Sequence, residues 1–449
     1  MKNIVSTGKD DFYRQMFRLT LPIIIQNLLS AAVNSADVIM LNYVGQSAIS
    51  AVSLAASYSN ILFMVYYGLG TGASLLCAQY FGQNNLQAIH AIEGIALRFS
   101  IAISGVVALI AFTMPNRMML IFTSDPELIS IGSSYLRIMG ITYLCWGVTE
   151  VYLAILRSIG RVTISMALNM LAFVLNVILN AVFIFGLFGL PKLGAAGVAI
   201  ATTISNMVST VMVISCLHRK RDEFRFEFHK MRIEWKDLKR VLMIGIPAGI
   251  QGAIFSVSNV FIQSGINSFG EDAIAGSSLA LNFEYFTYDI ANAFAQAAVT
   301  FTSQNFGAGN LKRCKKIFWL CLAFGFGFTE ILSIIFMIWD DFFVSIYTVS
   351  EAVAVYGLIR MHHVCSLEGL TATYEVESAA LRGMDKSLEP SIITILGTVV
   401  FRLIWLVTVF RMFPTYGMLM NVYVVSWILT GGAIFVVYVL HMRKLERQI

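Results

Sequence analysis

One carboxylate, Asp37, stands inside the first long apolar run of the chain, which extends from Arg18 to Gly45. A charge at the centre of a bilayer costs about 3 kcal/mol on insertion scales, so an intramembrane acid normally faces a cavity or a partner. Asn34 precedes it by three residues and shares its helical face, where both side chains could hold one ligand. The alternative is a polar cluster that only packs helices.

The composition indicates which elements must hold this acid. Of the 449 residues, 57% are hydrophobic and only 13% are charged, too few to cover a soluble globule of this size. We therefore predict an all-α polytopic membrane protein with twelve spans, each of about 20 or more largely apolar residues. The predicted spans are 15–43, 50–80, 94–114, 128–156, 164–187, 194–217, 240–267, 273–305, 316–339, 352–381, 390–411 and 416–441.

The basic residues lie mostly on one side of these spans, at the chain ends and in alternate loops. By the positive-inside rule, both termini and the central loop are cytoplasmic in a multi-pass protein of the plasma membrane. Because the charges follow the topology, the net charge of +5 does not predict a nucleic-acid partner. We expect a monomer whose partners are membrane lipid and a small-molecule substrate.

The sequence contains one six-helix unit twice, at an offset of 225 residues, with Pro22 matching Pro247. Six is an even number, so the two copies enter the membrane from the same side and form parallel repeats. The predicted division is an N-terminal lobe at 1–217, a cytoplasmic linker at 218–239 and a C-terminal lobe at 240–449. Pro22 and Pro247 are candidate hinges, because proline bends a helix. Other matched pairs are Gln26 with Gln251, Asn34 with Asn259, Gly82 with Gly307, and Arg157 with Arg382.

Motifs at matching places in the two halves carry a family resemblance. They are AQYFGQNN (78–85), SQNFGAGN (303–310), LRSIGR (156–161) and LRGMDK (381–386), with an Asp fifteen residues after the first-helix proline. Over essentially its whole length the sequence resembles the multidrug and toxic compound extrusion (MATE) transporters, and it is closer to their prokaryotic, DinF-like branch. The resemblance implies two V-shaped lobes and cation-coupled antiport.

The resemblance also implies a cation site in the N-terminal lobe, where the first-helix acid faces polar residues of the fifth helix. Asp37, Asn176 and Asn180 take those roles here, with Asn34 and Thr202 as additions. Some DinF-like members have a second Asp where this chain has Asn180, so the coupling ion stays open between Na⁺ and H⁺. We expect no cofactor and no metal other than Na⁺ at Asp37.

Glu284 in span 8 is the acid that the second half offers, opposite Ser59 of the first half. It could neutralise a cationic substrate, or it could be an internal hydrogen-bonded acid. The candidate substrate-binding residues are Glu284, Asn282, Gln251, Asn259 and Tyr58. The roles of Asp289, Glu150 and Glu375 stay open, although the symmetry of the two glutamates favours architecture. GLGTGA (68–73) lies inside a span, so we interpret it as a helix-packing segment.

The sequence predicts a secondary active antiporter that exports amphipathic, cationic drugs or metabolites in exchange for Na⁺ or H⁺. It carries neither an ATP-binding motif nor a catalytic motif, so we expect no enzyme. The alternative is a flippase or exporter of a lipid-linked or amphipathic metabolite. A membrane-embedded enzyme or receptor is the more distant alternative.

Overall fold

The computed structural model describes residues 9–42, 46–189, 191–217, 235–347 and 350–448. Within its helices some residues are described by their backbone alone, among them residues 31–39 and Phe255. Every regular element in the described ranges is a helix.

The first half contains seven α-helices: α1 (Lys9–Asn42), α2 (Gln46–Gly82), α3 (Leu86–Thr113), α4 (Pro115–Leu120), α5 (Pro126–Ser158), α6 (Val162–Phe185) and α7 (Gly194–Leu217). The second half contains α8 (Trp235–Asn267), α9 (Glu271–Gly307), α10 (Leu311–Ile338), α11 (Asp340–Tyr347), α12 (Glu351–Val364), α13 (Thr371–Gly383), α14 (Leu388–Thr394), α15 (Phe401–Val407), α16 (Val409–Met412) and α17 (Tyr416–Glu446).

Nine helices within the described residues are long and apolar enough to cross a membrane. They are α2, α3, α5, α6, α7, α8, α10, the stretch Leu388–Met412 and α17. The three other predicted spans coincide with α1, with α9, and with the pair α12 and α13. The short helices α4 and α11 follow α3 and α10 at matching places in the two halves, and the sequence analysis did not predict them.

Two spans of the second half depart from regular α-helix. Between α12 and α13 the chain forms a 3₁₀ segment, Cys365–Leu370, in which Leu367 leaves the helical region with φ −137°. Between α14 and α15 it forms a π-helical segment, Ile395–Val400. A π segment holds one residue more than the α-helical turn it replaces and often marks a functional site.

The family-like motifs form the turns between consecutive helices. In the first half Asn84 and Gly160 have left-handed φ values of 57° and 85°, and their counterparts Gly309 and Asp385 have 74° and 65°. Glycine, asparagine and aspartate are the residues that adopt this region most readily. The side chain of Asn85 then caps α3 by accepting from the Ala88 amide. Backbone geometry therefore explains the glycine, asparagine and aspartate positions at the ends of the repeated motifs.

The packing divides the chain into two compact units. The N-unit is Leu28–Gly249, and the C-unit is the chain up to Asn27 together with the chain from Ile250 onwards. Helices α1 and α8 each begin in one unit and end in the other. The predicted lobes at 1–217 and 240–449 follow the sequence repeat, and that division stays a prediction.

The N-terminal part of α1 makes contacts in the C-unit, and the N-terminal part of α8 makes contacts in the N-unit. In the C-unit, the ring of Phe17 packs edge-on against Phe324 of α10, with centroids 5.3 Å apart. Also in the C-unit, the Asn27 side chain donates to the backbone oxygen of Asp289 in α9 at 3.3 Å. In the N-unit, α8 meets α2 where Gly68 approaches Gly245 so closely that a Cβ on Gly68 would lie 2.7 Å from the Gly245 oxygen. Small residues permit such backbone contact between membrane helices.

We predict that Gly68→Ala lowers the stability of the protein, because the new methyl group would strike backbone atoms that cannot rotate away. Overpacking of this kind costs about 1–3 kcal/mol. Gly105→Ala in α3 is the matched control, since a Cβ there meets nothing within 4 Å. Thermal unfolding of both variants in detergent measures the difference. Equal melting temperatures for the two variants would contradict the close α2–α8 packing.

Candidate functional site

Three polar side chains of the N-unit form a hydrogen-bonded row between α6 and α7. Asn180 donates through Nδ2 to Oδ1 of Asn176 at 3.1 Å. Asn176 in turn donates through Nδ2 to Oγ1 of Thr202 at 3.2 Å. Asn180 is fully buried and Asn176 is 8% exposed. The structure thus brings together three of the residues that the sequence analysis assigned to one site.

Helix α6 can hold this row because its polar residues lie on one face. Asn169, Asn176 and Asn180 recur at helical spacing and are all buried, whereas the exposed side carries apolar residues such as Val174 and Ile178, 53% and 54% exposed. In water the arrangement would be inverted, but in lipid the amides must find partners inside the protein. The amide oxygens are of the hard type that binds Na⁺.

Asp37 and Asn34 belong to α1, which is continuous through both positions. Only the backbone is described there, so their side chains lie outside the described part of the structure. Their membership of the cation site stays a prediction.

A charged cluster occupies the interior of the C-unit. Both carboxylate oxygens of Glu284 in α9 accept from Arg360 in α12, from Nε at 2.5 Å and from Nη2 at 2.8 Å. Arg360 also donates to the hydroxyl of Ser277 at 2.6 Å. Arg360 is 1% exposed and Glu284 is 8% exposed, so this is a buried, bidentate ion pair.

A second buried arginine, Arg402 of α15, extends this cluster. It is 1% exposed and donates to Oγ of Ser426 at 3.2 Å and to Oδ1 of Asn259 at 3.3 Å. The ring of Tyr423 is close to both guanidinium groups, with its centroid 4.6 Å from Cζ of Arg402 and 5.2 Å from Cζ of Arg360. Stacked guanidinium groups are attracted by the face of a tyrosine ring.

The sequence analysis identified Glu284 but missed Arg360, Arg402 and Tyr423. A signal was available, since each arginine stands inside an otherwise apolar run that was assigned to a span. Intramembrane arginines are rare and are almost always paired, so these two positions are functional-site candidates in the same sense as Asp37. Glu284 stays a candidate substrate residue, but it could meet a cationic substrate only after its ion pair with Arg360 opens.

The other candidate substrate residues lie apart from one another. Tyr58 donates to the backbone oxygen of Met118 at 2.9 Å in the N-unit. In the C-unit, the Asn282 amide donates to its own helix, to the oxygen of Ser278 at 3.0 Å. Gln251 lies within 3.0 Å of the Ser391 hydroxyl. Asn259 is the one of the five candidates that contacts Arg402, and it lies on the exposed side of α8.

The two symmetric glutamates have local partners. The Tyr288 hydroxyl donates to Glu375 at 2.9 Å, and the Trp146 indole donates to Glu150 at 3.3 Å. Each glutamate therefore joins side chains within one unit, as expected of an architectural role.

The candidate hinges Pro22 and Pro247 lie inside α1 and α8, shortly before the points at which these helices pass from one unit to the other.

Comparison with known proteins identifies the family. The MatE family model matches residues 22–182 and 247–408, in both halves of the chain. The chain belongs to the MatE family. The two matched segments begin at the proline pair and reproduce the 225-residue offset of the repeat.

Relatives and solved structures agree with this MATE assignment. A probable multidrug resistance protein NorM from Thermotoga maritima is 24% identical over 85% of this chain and 82% of its own length. A probable multidrug resistance protein YoeA from Bacillus subtilis is 23% identical over 86% of this chain and 85% of its own length. A MATE transporter in an outward-facing conformation has a TM-score of 0.90 at 20% identity and covers 96% of both chains.

These findings confirm the predicted fold class, twelve membrane-spanning helices in two six-helix repeats, and the assignment as a multidrug efflux transporter family member and not an enzyme. The placement within the DinF-like branch stays a prediction.

We predict that Glu284 and Arg360 of this MATE protein are strongly coupled. Arg360→Met alone leaves a buried carboxylate unpaired, and Glu284→Gln alone leaves a buried guanidinium unpaired; either change costs about 3–5 kcal/mol. The double variant removes both charges, so its loss falls well short of the sum of the single losses.

The measurement is a double-mutant cycle of melting temperatures. The control pair is Lys386 and Glu389, also an ion pair but with side chains 41% and 40% exposed. Exposed pairs contribute about 0–1 kcal/mol, so the same cycle there stays close to additive. Additive losses at Glu284 and Arg360 would contradict the buried pair.

Proposed function

We propose that this MATE protein is a secondary active antiporter that exports amphipathic, cationic small molecules in exchange for Na⁺ or H⁺. The observation that carries the proposal is the buried row of Asn180, Asn176 and Thr202 in the N-unit. The polar row shares its unit with Asp37, the acid that the family resemblance assigns to cation coupling.

Charge balance explains why either ion suits this site. The three described side chains are neutral, so Asp37 brings the only formal charge of the proposed site. One monovalent cation or one proton makes the site neutral, and the two therefore compete for the same carboxylate. Na⁺ needs several oxygen ligands, which the amide and hydroxyl groups provide, whereas a proton needs the carboxylate alone.

The export of a lipid-linked or amphipathic metabolite by a flippase is the alternative. A long groove lined with arginines would favour it. Within the described residues Arg360 and Arg402 are packed inside the C-unit against Glu284 and Tyr423, which supports the antiporter over the flippase. We also infer a monomer in contact with membrane lipid, with no cofactor.

The proposal is tested first by Asp37→Asn in proteoliposomes. We expect the variant to reach the membrane at normal levels and to lose gradient-driven efflux of a fluorescent organic cation, because an amide cannot exchange a proton and binds Na⁺ weakly. Full efflux by this variant would remove Asp37 from the coupling site.

A second variant, Asn180→Ala, separates the two ions. We expect it to weaken Na⁺-driven efflux about tenfold and H⁺-driven efflux much less, because it removes an oxygen ligand that only Na⁺ requires. Asn169→Ala, on the same buried face of α6 but outside the hydrogen-bonded row, is the control and leaves both rates unchanged. If efflux follows the pH gradient alone in both variants, Asp37 is a proton carrier without a shared Na⁺ site.

The cytoplasmic placement of both termini is tested by cysteine labelling in a background without the native cysteines. Phe188, 92% exposed in the loop between α6 and α7, is predicted to lie outside. Lys444 at the end of α17 is predicted to lie in the cytoplasm. An impermeant maleimide added to intact cells should label Phe188→Cys and spare Lys444→Cys; the reverse pattern would invert the topology.

A further inference from the structure

The N-terminal parts of α1 and α10 pack side by side in the C-unit. The ammonium group of Lys316 in α10 lies over the ring of Tyr13 in α1, with Nζ 5.1 Å from the ring centroid. One turn further along α1, the ring of Phe17 packs edge-on against Phe324 and Phe328 of α10, with centroids 5.3 Å and 6.4 Å apart. Later residues of α1 thus contact later residues of α10, so both helices run in the same direction and begin at the same level of the membrane.

The exposed side of α1 changes from basic to apolar within two turns. Arg14 and Arg18 stand one turn apart and are both exposed. Leu21 and Ile25 continue the same face at helical spacing and are 55% and 37% exposed. The ion pairs found among the described residues include neither arginine. Two cations therefore stand at the start of a surface that is otherwise apolar.

The exposed side of α10 repeats this pattern. Lys312 is exposed, and Lys316 follows it one turn later and is partly exposed. Trp319 and Phe326 continue the same face and are 54% and 36% exposed. An exposed tryptophan at this depth is typical of the boundary between membrane and water. Each of the two helices thus presents cations first and an apolar surface after them.

The positive charge at these two helix starts exceeds the acid that could balance it. Residues 9–18 and 311–316 together contain seven basic residues and two acids. The side chains of those two acids, residues 10–11, lie outside the described part of the structure. Lys315 has its own partner, because it forms an ion pair with Glu446 of α17. We define the basic patch as Arg14, Arg18, Lys312 and Lys316.

The other copy of the repeat shows that membrane topology does not require these cations. Helix α3 is the counterpart of α10, and an asparagine side chain, Asn85 or Asn310, caps each helix at the matching position. The first six residues of α10 are LKRCKK, with four basic residues, whereas the first six residues of α3 are LQAIHA, without Lys or Arg. Parallel repeats enter the membrane from the same side, so α3 has its orientation without such cations.

We propose that the basic patch binds the head group of an anionic phospholipid, whose acyl chains lie along the apolar sides of α1 and α10. Guanidinium and ammonium groups form charge-assisted hydrogen bonds with phosphate oxygens. Basic clusters beside a membrane-spanning helix are typical of contacts with anionic lipids. A soluble anion would use the cations alone, whereas a phospholipid also covers the apolar surface of Leu21, Ile25 and Phe326. This binding site is separate from the proposed antiport and needs no ion gradient.

The test is a competition between two lipids for the purified full chain in detergent. Phosphatidylglycerol and phosphatidylcholine with identical acyl chains are added in equal amounts, and mass spectrometry of the intact protein counts the lipids that stay bound. Both lipids contain a phosphate group, but only phosphatidylglycerol has a net negative charge. We expect the wild-type protein to retain phosphatidylglycerol in preference. Added salt should weaken this preference, because it screens exposed charges.

The charges of each helix are removed separately. Arg14→Gln combined with Arg18→Gln should weaken binding of phosphatidylglycerol about tenfold and leave binding of phosphatidylcholine unchanged. Lys312→Gln combined with Lys316→Gln should have a similar effect from the side of α10. Arg14→Lys combined with Arg18→Lys retains both charges and should weaken binding less than about threefold. Rescue by lysine would identify the charge as the recognised property.

The matched control is Lys236→Gln combined with Lys239→Gln, at the start of α8. This helix is the counterpart of α1 in the repeat, and Lys239 corresponds to Arg14. Both lysines are exposed, but they belong to the N-unit, where Met243 stands in the place of Arg18. The control removes the same number of charges from the corresponding helix start, and we expect no change in lipid preference.

Melting temperatures separate lipid binding from folding. Without lipid, the variants should unfold close to the wild-type temperature, because their substitutions are at exposed or partly exposed positions. Phosphatidylglycerol should raise the melting temperature of the wild-type protein and raise that of the Arg14 and Arg18 double glutamine variant less. Inorganic phosphate should raise neither.

Three results would overturn the inference. The first is a wild-type protein that retains the two lipids equally. The second is an equal loss of phosphatidylglycerol in the control and in the patch variants, which would show attraction by net charge alone. The third is stabilisation by inorganic phosphate as large as that by phosphatidylglycerol, which would indicate a site for soluble anions.

Discussion

The interior of a bilayer offers no hydrogen-bond partners, and this constraint organises the buried polar residues that the structure describes. The N-unit satisfies it with neutral groups, in a row that runs from Asn180 through Asn176 to Thr202. The C-unit satisfies it with charges, through the ion pair of Glu284 and Arg360. At these two places the copies of the repeat therefore differ in electrostatic character. A neutral row can accept a mobile charge, whereas a charged cluster already contains its counter-charges.

The repeat has conserved its turns and changed its interior for a physical reason. The turns at Gly160 and Asp385 both require a left-handed backbone, which few residue types adopt, so the choice at each copy is narrow. Inside the helices the requirement is only that each polar group find a partner. Partners can change together, and in the C-unit the buried Arg402 donates to Ser426 and Asn259.

The sequence predicted the features that depend on local spacing. The spans follow from runs of apolar residues, and the contact of Asn176 with Asn180 follows from a separation of one helical turn. The ion pair of Glu284 with Arg360 joins residues 76 positions apart, and no local pattern specifies such a partner. The π segment is also invisible to hydropathy, because ILGTVV is as apolar as its surroundings.

The exchange of helix starts between the two units affects the order in which the protein can assemble. Asn27 finds its partner at Asp289, 262 positions later, so the start of α1 must wait for α9 to be synthesised. The N-unit likewise lacks part of its packing surface until the start of α8, as far as Gly249, has left the ribosome. Contacts of such long range are slow to form, and the surfaces that await them are exposed to misassembly. Cleavage of the chain in the linker before Trp235 would yield two fragments, each retaining a helix start that packs in the other unit.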